Sequence, residues 1–179
     1  DAAAQFEHPE TLDVMLSFAS PAQRLRSFAR RGNAEEARRL VREHPGLVAS
    51  MTPEQRRAIS DAAWDGDARA VALMLELGFD PSAPGHDSGT ALHVAAWQGS
   101  VETVKLLLDH PIGRTLVSVK EGRYGATPLG WCCHGSVHGN TAHDHAGVAR
   151  LLVDAGAELG RDTVEASPSV RAVLASMRR

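Results

Sequence analysis

A chain of 179 residues that is 43% hydrophobic is long enough to bury a core of its own, although only 4% of it is aromatic. The formal net charge is −3 with both signs interspersed, which argues against a nucleic-acid or anionic-membrane surface. No apolar run approaches the roughly 20 residues that a membrane-spanning helix requires. The chain begins with neither an initiator Met nor a signal-peptide pattern, which is compatible with a domain cut from a longer protein.

Short helices with regular start and stop signals are predicted along the first half of the chain. Apolar residues at helical spacing predict a helix over 9–19. Ser20 before Pro21 and Thr52 before Pro53 each place a capping residue ahead of a proline, which favours the first turn of a helix. Each predicted helix is about ten residues or fewer, too short to be stable alone. Such helices must bury their apolar faces against neighbours.

A repeat in the sequence supplies those neighbours. Residues 62–66 (AAWDG) recur as residues 95–99 (AAWQG), and apolar positions of the following helix repeat at the same displacement of 33 residues. Residues 90–95 (TALHVA) resemble the T-P-L-H-x-A pattern of the ankyrin repeat family, with Ala91 in place of the proline. The resemblance also implies that His93 hydrogen-bonds between repeats, whereas its counterpart Gly130 cannot.

The resemblance implies an all-α solenoid of stacked helix-turn-helix units, with projecting hairpin loops and helical caps at both ends. We expect a single ankyrin-repeat domain over 1–179. Its predicted parts are N-terminal helices with a degenerate first repeat at 9–51, repeats at 52–86, 87–123 and 124–160, and a C-terminal cap at 161–179.

Two stretches depart from the regular repeat. The loop before the repeat at 124–160 is longer than its predecessor, and its residues 116–120 (LVSVK) predict a short strand. An insertion within 135–145 lengthens the hinge between the two helices of that same repeat. Long hinges often serve a function, and this one is rich in histidine.

The resemblance also predicts a partner-binding surface. In ankyrin repeats the two residues between the A-A pair and the following glycine usually face the concave side. Aromatic and arginine side chains carry much of the binding energy at protein interfaces. The predicted contact residues are Arg30, Trp64, Asp65, Trp97, Gln98 and His134, together with Tyr124 at a loop tip. The alternative is that the tryptophan rings only cover neighbouring helices.

A second group of residues around the insertion offers ligands that zinc prefers. The candidates are Cys133, His138, His143 and His145. Their spacing matches no standard zinc site. Cys132 and Cys133 align with the helix-packing residues Ala95 and Ala96, where small buried thiols fit well. We therefore expect no metal and no cofactor.

Two classes of function follow. The first is non-catalytic binding of a protein partner, a flanking domain or another region of the same polypeptide by a chain that is monomeric in isolation. The alternative is an enzyme or metal-dependent small-molecule module that uses residues 132–145, and joint substitution of His138, His143 and His145 would separate the two. A third possibility is a tethered scaffold within a larger chain. Two adjacent cysteines and no disulfide framework predict a reducing, cytoplasmic setting.

Overall fold

The regular elements of the protein are helical. The computed structural model describes residues 18–177, and within this range it contains no β-strand. The helix predicted over 9–19 lies almost entirely outside the described residues. None of the helices between residues 18 and 177 has the length and apolar character needed to cross a membrane.

The helices follow one another through short connections. In the described range they are α1 (Pro21–Arg30), α2 (Ala34–Glu43), α3 (Pro53–Arg56), α4 (Ala58–Trp64), α5 (Ala68–Glu76), α6 (Ala91–Trp97), α7 (Val101–Asp109), α8 (Pro111–Thr115), α9 (Pro128–His138), α10 (His145–Asp154) and α11 (Pro168–Ser176). Two single 3-10 turns, His86–Ser88 and Arg161–Thr163, lie in the connections before α6 and before α11.

The helices pair and stack into two rows. The first helices of successive pairs, α1, α4, α6 and α9, form one row, and α2, α5, α7 and α10 are their second helices. Helix α6 packs between α4 and α9, as expected of a solenoid whose repeats contact their neighbours. The predicted all-α solenoid is therefore confirmed. Small residues allow the close approach, and those fully buried in this row include Ala62, Ala63, Ala95, Ala96, Cys132 and Cys133.

Local signals start the helices and turn the chain between them. Ser20 and Thr52 each form a capping box ahead of the predicted proline, and Thr127 accepts a hydrogen bond from the Gly130 backbone N–H at 3.1 Å. The hinges after α4 and α6 pass through Gly66 and Gly99 at φ +71° and +68°, a left-handed conformation that glycine adopts without steric cost.

The strand predicted at residues 116–120 is wrong. The structure forms helix α8 directly before this stretch and continues with a turn in which the Val119 N–H donates to the Leu116 carbonyl. Leu116 and Val117 are both buried, so consecutive residues face the core, whereas alternate residues would do so in a half-buried strand. Proline at the start of α8 favours the helical turn.

The insertion predicted within 135–145 is partly helical. Helix α9 has 11 residues where the equivalent α6 has 7, so the first part of the insertion lengthens the helix itself. The remainder forms a connection over residues 139–144 before α10 begins at His145. As a result, α9 continues past the point at which α6 ends.

His93 joins two repeats, as the resemblance implied. The side chain is fully buried, its Nδ1 lies 2.9 Å from Thr90 Oγ1, and its Nε2 lies 3.2 Å from the Ala126 carbonyl oxygen. Because the carbonyl can only accept, Nε2 carries a proton. Burial lowers the pKa of His93 below its ordinary value and outweighs the hydrogen bond to Ala126, which acts in the opposite direction.

We expect the free energy of unfolding to decrease as the pH falls below about 6.5, where the unfolded chain takes up a proton that buried His93 resists. His93→Gln is expected to lose stability at neutral pH and to show a flatter pH dependence between about 7.5 and 5.5. Urea denaturation across this range measures both slopes. Equal slopes for the two proteins would contradict the role of His93.

Candidate partner-binding groove

The ends of the first-row helices bring predicted site residues into one line. Trp64 and Trp97 are the last residues of α4 and α6, and His134 occupies the corresponding position on α9. The Trp97 and His134 ring centroids lie 5.4 Å apart. Stacking of successive repeats thus places the residues of one periodic sequence position in a row.

This row borders a groove of about 410 Å³. Four of the predicted partner-binding residues, Trp64, Trp97, Tyr124 and His134, line it together. Trp64 is 45% exposed and Tyr124 is 64% exposed, so both rings are accessible to a partner. The other residues that line the groove are Asp87, Ala126, Gly130 and Trp131.

Trp131 is a groove residue that the sequence interpretation missed. It is 8% exposed, and its ring meets Trp97 edge to face with a centroid separation of 6.3 Å. It also contacts the His93 ring at 5.5 Å, which connects the groove to the bond between repeats. The available signal was its position three residues before His134, which puts both side chains on one face of α9.

A buried carboxylate shapes the loop that carries Tyr124. Glu121 is 4% exposed and accepts hydrogen bonds from the backbone N–H groups of Tyr124 at 2.9 Å and of Ala126 at 3.1 Å, and from that of Arg123. Burial alone would raise the pKa of Glu121, but these hydrogen bonds outweigh it and the pKa is lowered. The Glu121 carboxylate is therefore charged at neutral pH and fixes the loop at the edge of the groove.

An ion pair adds a second connection at the same edge. Arg123 pairs with Asp87, and its guanidinium carbon lies 5.3 Å from the centroid of the Tyr124 ring. Both charged side chains are largely exposed, so the pair contributes less than about 1 kcal/mol to stability. Its main effect is to place opposite charges beside the exposed Tyr124 ring.

The other predicted contact residues lie outside this groove and connect repeats. Arg30 of α1 forms an ion pair with Asp65 at the end of α4. Gln98 donates through Nε2 to the backbone carbonyl of Trp64. Asp65 and Gln98 line an adjoining cleft that His143 also borders. Their polar groups are already engaged within the protein, so we place them at the periphery of the candidate site.

Two histidines of the insertion, His143 and His145, contact the preceding repeat. The His145 Nε2 lies 2.9 Å from the Trp97 carbonyl oxygen, and the His143 Nδ1 lies 2.6 Å from that of Gln98. Both imidazoles thus satisfy carbonyl groups at the C-terminal end of α6, which its own turns leave without partners. Cys133 is fully buried in the same region, at a packing position.

The four candidate metal ligands named from the sequence do not converge. Between residues 18 and 177, the group whose ligand atoms lie close enough to share an ion is His134, His138 and Glu165, which includes only one of those candidates. His143 and His145 use ring nitrogens on backbone carbonyls instead. Cys133, His138, His143 and His145 are therefore not assembled as one metal site.

Paired helices stacked in two rows, with a groove along the ends of one row, define a helical-repeat solenoid protein. Residues 59–163 match the family model described as Ankyrin repeats (3 copies). The chain therefore belongs to the ankyrin repeat family, and the resemblance noted for residues 90–95 is confirmed. Ankyrin repeats generally act as protein-interaction modules.

Known relatives agree with this assignment. The chain is 30% identical to Transient receptor potential cation channel subfamily A member 1 of Drosophila melanogaster over 125 residues, 69% of this chain and 10% of the channel. It is 31% identical to the Homo sapiens Notch-regulated ankyrin repeat-containing protein over 99 residues, 52% of this chain and 87% of that protein. For Notch-regulated ankyrin repeat-containing protein B of Danio rerio, the identity is 30% over 82 residues, 44% and 74% of the two chains. This chain spans about a tenth of the length of the channel, and these likenesses carry no partner over to it.

Proposed function

We propose that the protein is a non-catalytic module that binds a protein partner, or another region of its own polypeptide, through the groove bounded by Trp64, Trp97, Tyr124 and His134. The observation that carries the proposal is the convergence of rings. Aromatic residues make up 4% of the sequence, yet three tryptophans and the single tyrosine line this one groove. Aromatic residues in a preformed depression are typical of binding hot spots.

The lining favours a particular kind of partner. Most of the residues that line the groove are aromatic or apolar, and Asp87 contributes the carboxylate among them. An extended or helical segment that inserts an apolar or aromatic side chain between Trp64 and Trp97 would bury these rings without leaving an unpaired charge in the interface. Polar groups beside the inserted side chain would meet Asp87 and Arg123 at the rim.

We further propose that the module works in the cytoplasm as a monomer. Cys132 and Cys133 are buried and form no disulfide, a state that a reducing compartment preserves. Burial raises the pKa of the Cys132 thiol, so that it stays in its unreactive protonated form. Both residues act in this proposal as small packing groups of α9.

The proposal is tested with peptides selected on the wild-type protein from a random library displayed on phage. Trp64→Ala and Tyr124→Ala are each expected to weaken binding of the selected peptides by about 10-fold or more, because each removes a ring from the groove. Both residues are well exposed, so the melting temperature is expected to change little. Fluorescence anisotropy with labelled peptides gives the dissociation constants.

Ile112→Ala is the matched control. Ile112 is 45% exposed, the same as Trp64, but it lies on α8 and does not line the groove. Its peptide affinities are expected to equal those of the wild type. If the selected peptides bind the Trp64→Ala/Tyr124→Ala double variant with unchanged affinity, the groove is not the binding surface. A large fall in melting temperature for Trp64→Ala would instead make that ring a structural residue.

A further inference from the structure

Two histidines and a glutamate meet at one end of the solenoid. His134 and His138 are four residues apart on α9, so they lie on the same face of the helix, and their ring centroids are 4.4 Å apart. The His134 Nδ1 lies 3.0 Å from Glu165 Oε2, and the His138 Nε2 lies 2.7 Å from Glu165 Oε1. Hydrogen bonds from His138 and His134 lower the pKa of Glu165.

The segment that carries Glu165 is held in place from both sides. Ala166 is 2% exposed, and the Ser167 backbone N–H donates to Ser136 Oγ of α9 at 2.9 Å. Thr163, at the end of the preceding 3-10 turn, is also buried. These contacts fix the backbone on either side of Glu165 against α9, so its carboxylate is positioned over the two imidazoles before any ligand arrives.

We propose that His134, His138 and Glu165 form a binding site for a divalent transition-metal ion, with zinc as the favoured ion and the fourth position left to water. Two imidazole nitrogens and one carboxylate oxygen are a donor set that zinc accepts, and these atoms all lie within 4.8 Å of one another. The three side chains are 51%, 47% and 57% exposed, which leaves the site open to an ion from solvent.

Binding of the ion requires the three side chains to adjust. Zinc bonds of about 2.0–2.2 Å place neighbouring tetrahedral ligand atoms roughly 3.4 Å apart. The hydrogen-bond distances of 3.0 and 2.7 Å, which involve different Glu165 oxygens, would lengthen, and ligand atoms that are now up to 4.8 Å apart would move closer. Each imidazole nitrogen that now donates to Glu165 gives up its proton before it binds the metal, and a neutral ring regains a proton at its other nitrogen.

The ion would connect two parts of the fold. Glu165 belongs to the segment between the last 3-10 turn and α11, whereas both histidines belong to α9. A bound ion therefore ties the C-terminal cap to the repeat beneath it. Because His134 also lines the groove and its ring lies 5.4 Å from Trp97, the ion would fix one wall of that groove as well.

The test uses metal-free protein with no histidine tag and zinc chloride as the probe. Isothermal titration is expected to show one equivalent of zinc per chain. His138→Ala and Glu165→Gln are each expected to weaken that binding by at least about 10-fold. All three side chains are half exposed, so circular dichroism of the variants is expected to match the wild type.

His44→Ala is the matched control, since His44 is an exposed histidine at the end of α2. It is expected to bind zinc with wild-type affinity. In the wild-type protein, NMR is expected to show shifts in the imidazole signals of His134 and His138 before those of other histidines. Uptake below about a tenth of an equivalent at about 100 µM zinc would overturn the proposal. So would full affinity in a His134→Ala/His138→Ala double variant, and neither outcome bears on peptide binding measured in EDTA.

Discussion

Replacing Gly135 by alanine is expected to destabilise the protein by about 2 kcal/mol, although the change adds a single methyl group. Gly135 lies inside α9 where this helix passes over the end of α6. A Cβ atom at this position would lie 3.0 Å from the Trp97 carbonyl carbon and Cα, and even closer to the carbonyl oxygen. These neighbours are backbone atoms, so the methyl group can be accommodated only if the two helices separate.

The sign of the effect makes this substitution informative. Gly→Ala within a helix ordinarily stabilises it by about 0.8–1 kcal/mol, because alanine has the higher helix propensity. If Gly135→Ala lowers the free energy of unfolding, the close contact between α6 and α9 outweighs the higher helix propensity of alanine. These two helices share the most extensive helix–helix contact of the described fold. The decrease in stability is therefore expected to appear in the global unfolding transition.

Gly122→Ala serves as the control for Gly135→Ala. An added Cβ at Gly122 would meet only Ser88 atoms at 3.8 and 3.9 Å, which are ordinary contact distances. Its free energy of unfolding is expected to stay within about 0.5 kcal/mol of the wild type. Guanidinium denaturation measures the free energy of unfolding of the wild type, Gly135→Ala and Gly122→Ala. A Gly135→Ala variant as stable as the wild type, or more stable, would contradict the close packing of α6 against α9.

Glu121→Gln is expected to lower the free energy of unfolding by about 2 kcal/mol at neutral pH, since hydrogen bonds to a charged group contribute about 1.5–3 kcal/mol. The carboxylate accepts from three backbone N–H groups, those of Arg123, Tyr124 and Ala126. Glutamine keeps one oxygen but turns an NH₂ group toward donors. The loop that holds Tyr124 is expected to loosen, and peptide binding at the groove should weaken with it.

The cost of this substitution depends on pH in a defined direction. The pKa of Glu121 is lowered in the folded protein, so its stabilisation is fully present above the unfolded value of about 4.3. This stabilisation is lost as the pH falls through the lower pKa that Glu121 has in the folded protein. The gap in unfolding free energy between wild type and Glu121→Gln is therefore expected to narrow on acidification.

Urea denaturation at about pH 7 and at about pH 3 tests this dependence. Glu158→Gln is the control, because Glu158 is exposed and its substitution should change stability by less than about 0.5 kcal/mol. Equal stability of wild type and Glu121→Gln at neutral pH would show that the buried carboxylate does not hold the loop.

Much of the fold is predictable because each repeat encodes its own packing. The small residues at Ala62, Ala63, Ala95 and Ala96 recur at a fixed period and are fully buried where the helices approach closely. The strand at residues 116–120 was mispredicted because a short apolar run does not distinguish a strand from a turn that buries consecutive residues. The boundaries assigned to the individual repeats stay predictions.

The candidate groove is predictable in part for the same reason. Trp64, Trp97 and His134 occupy one repeated position, so periodicity alone places them in a row. The burial of Glu121 could not be predicted, because it depends on how the long loop folds. The meeting of Glu165 with His138, 27 residues earlier, depends on how the C-terminal segment docks, which no local pattern encodes.

The chain offers a direct measurement of whether the groove binds the partner. Its three tryptophans, Trp64, Trp97 and Trp131, all line the groove, so 5-fluorotryptophan labelling places every ¹⁹F NMR signal there. Single Trp→Phe variants assign the signals. Titration with a peptide selected on the wild-type protein is expected to shift the Trp64 and Trp97 signals at the concentration that saturates binding. A peptide that saturates the protein and leaves all three signals unchanged would show that the partner binds elsewhere.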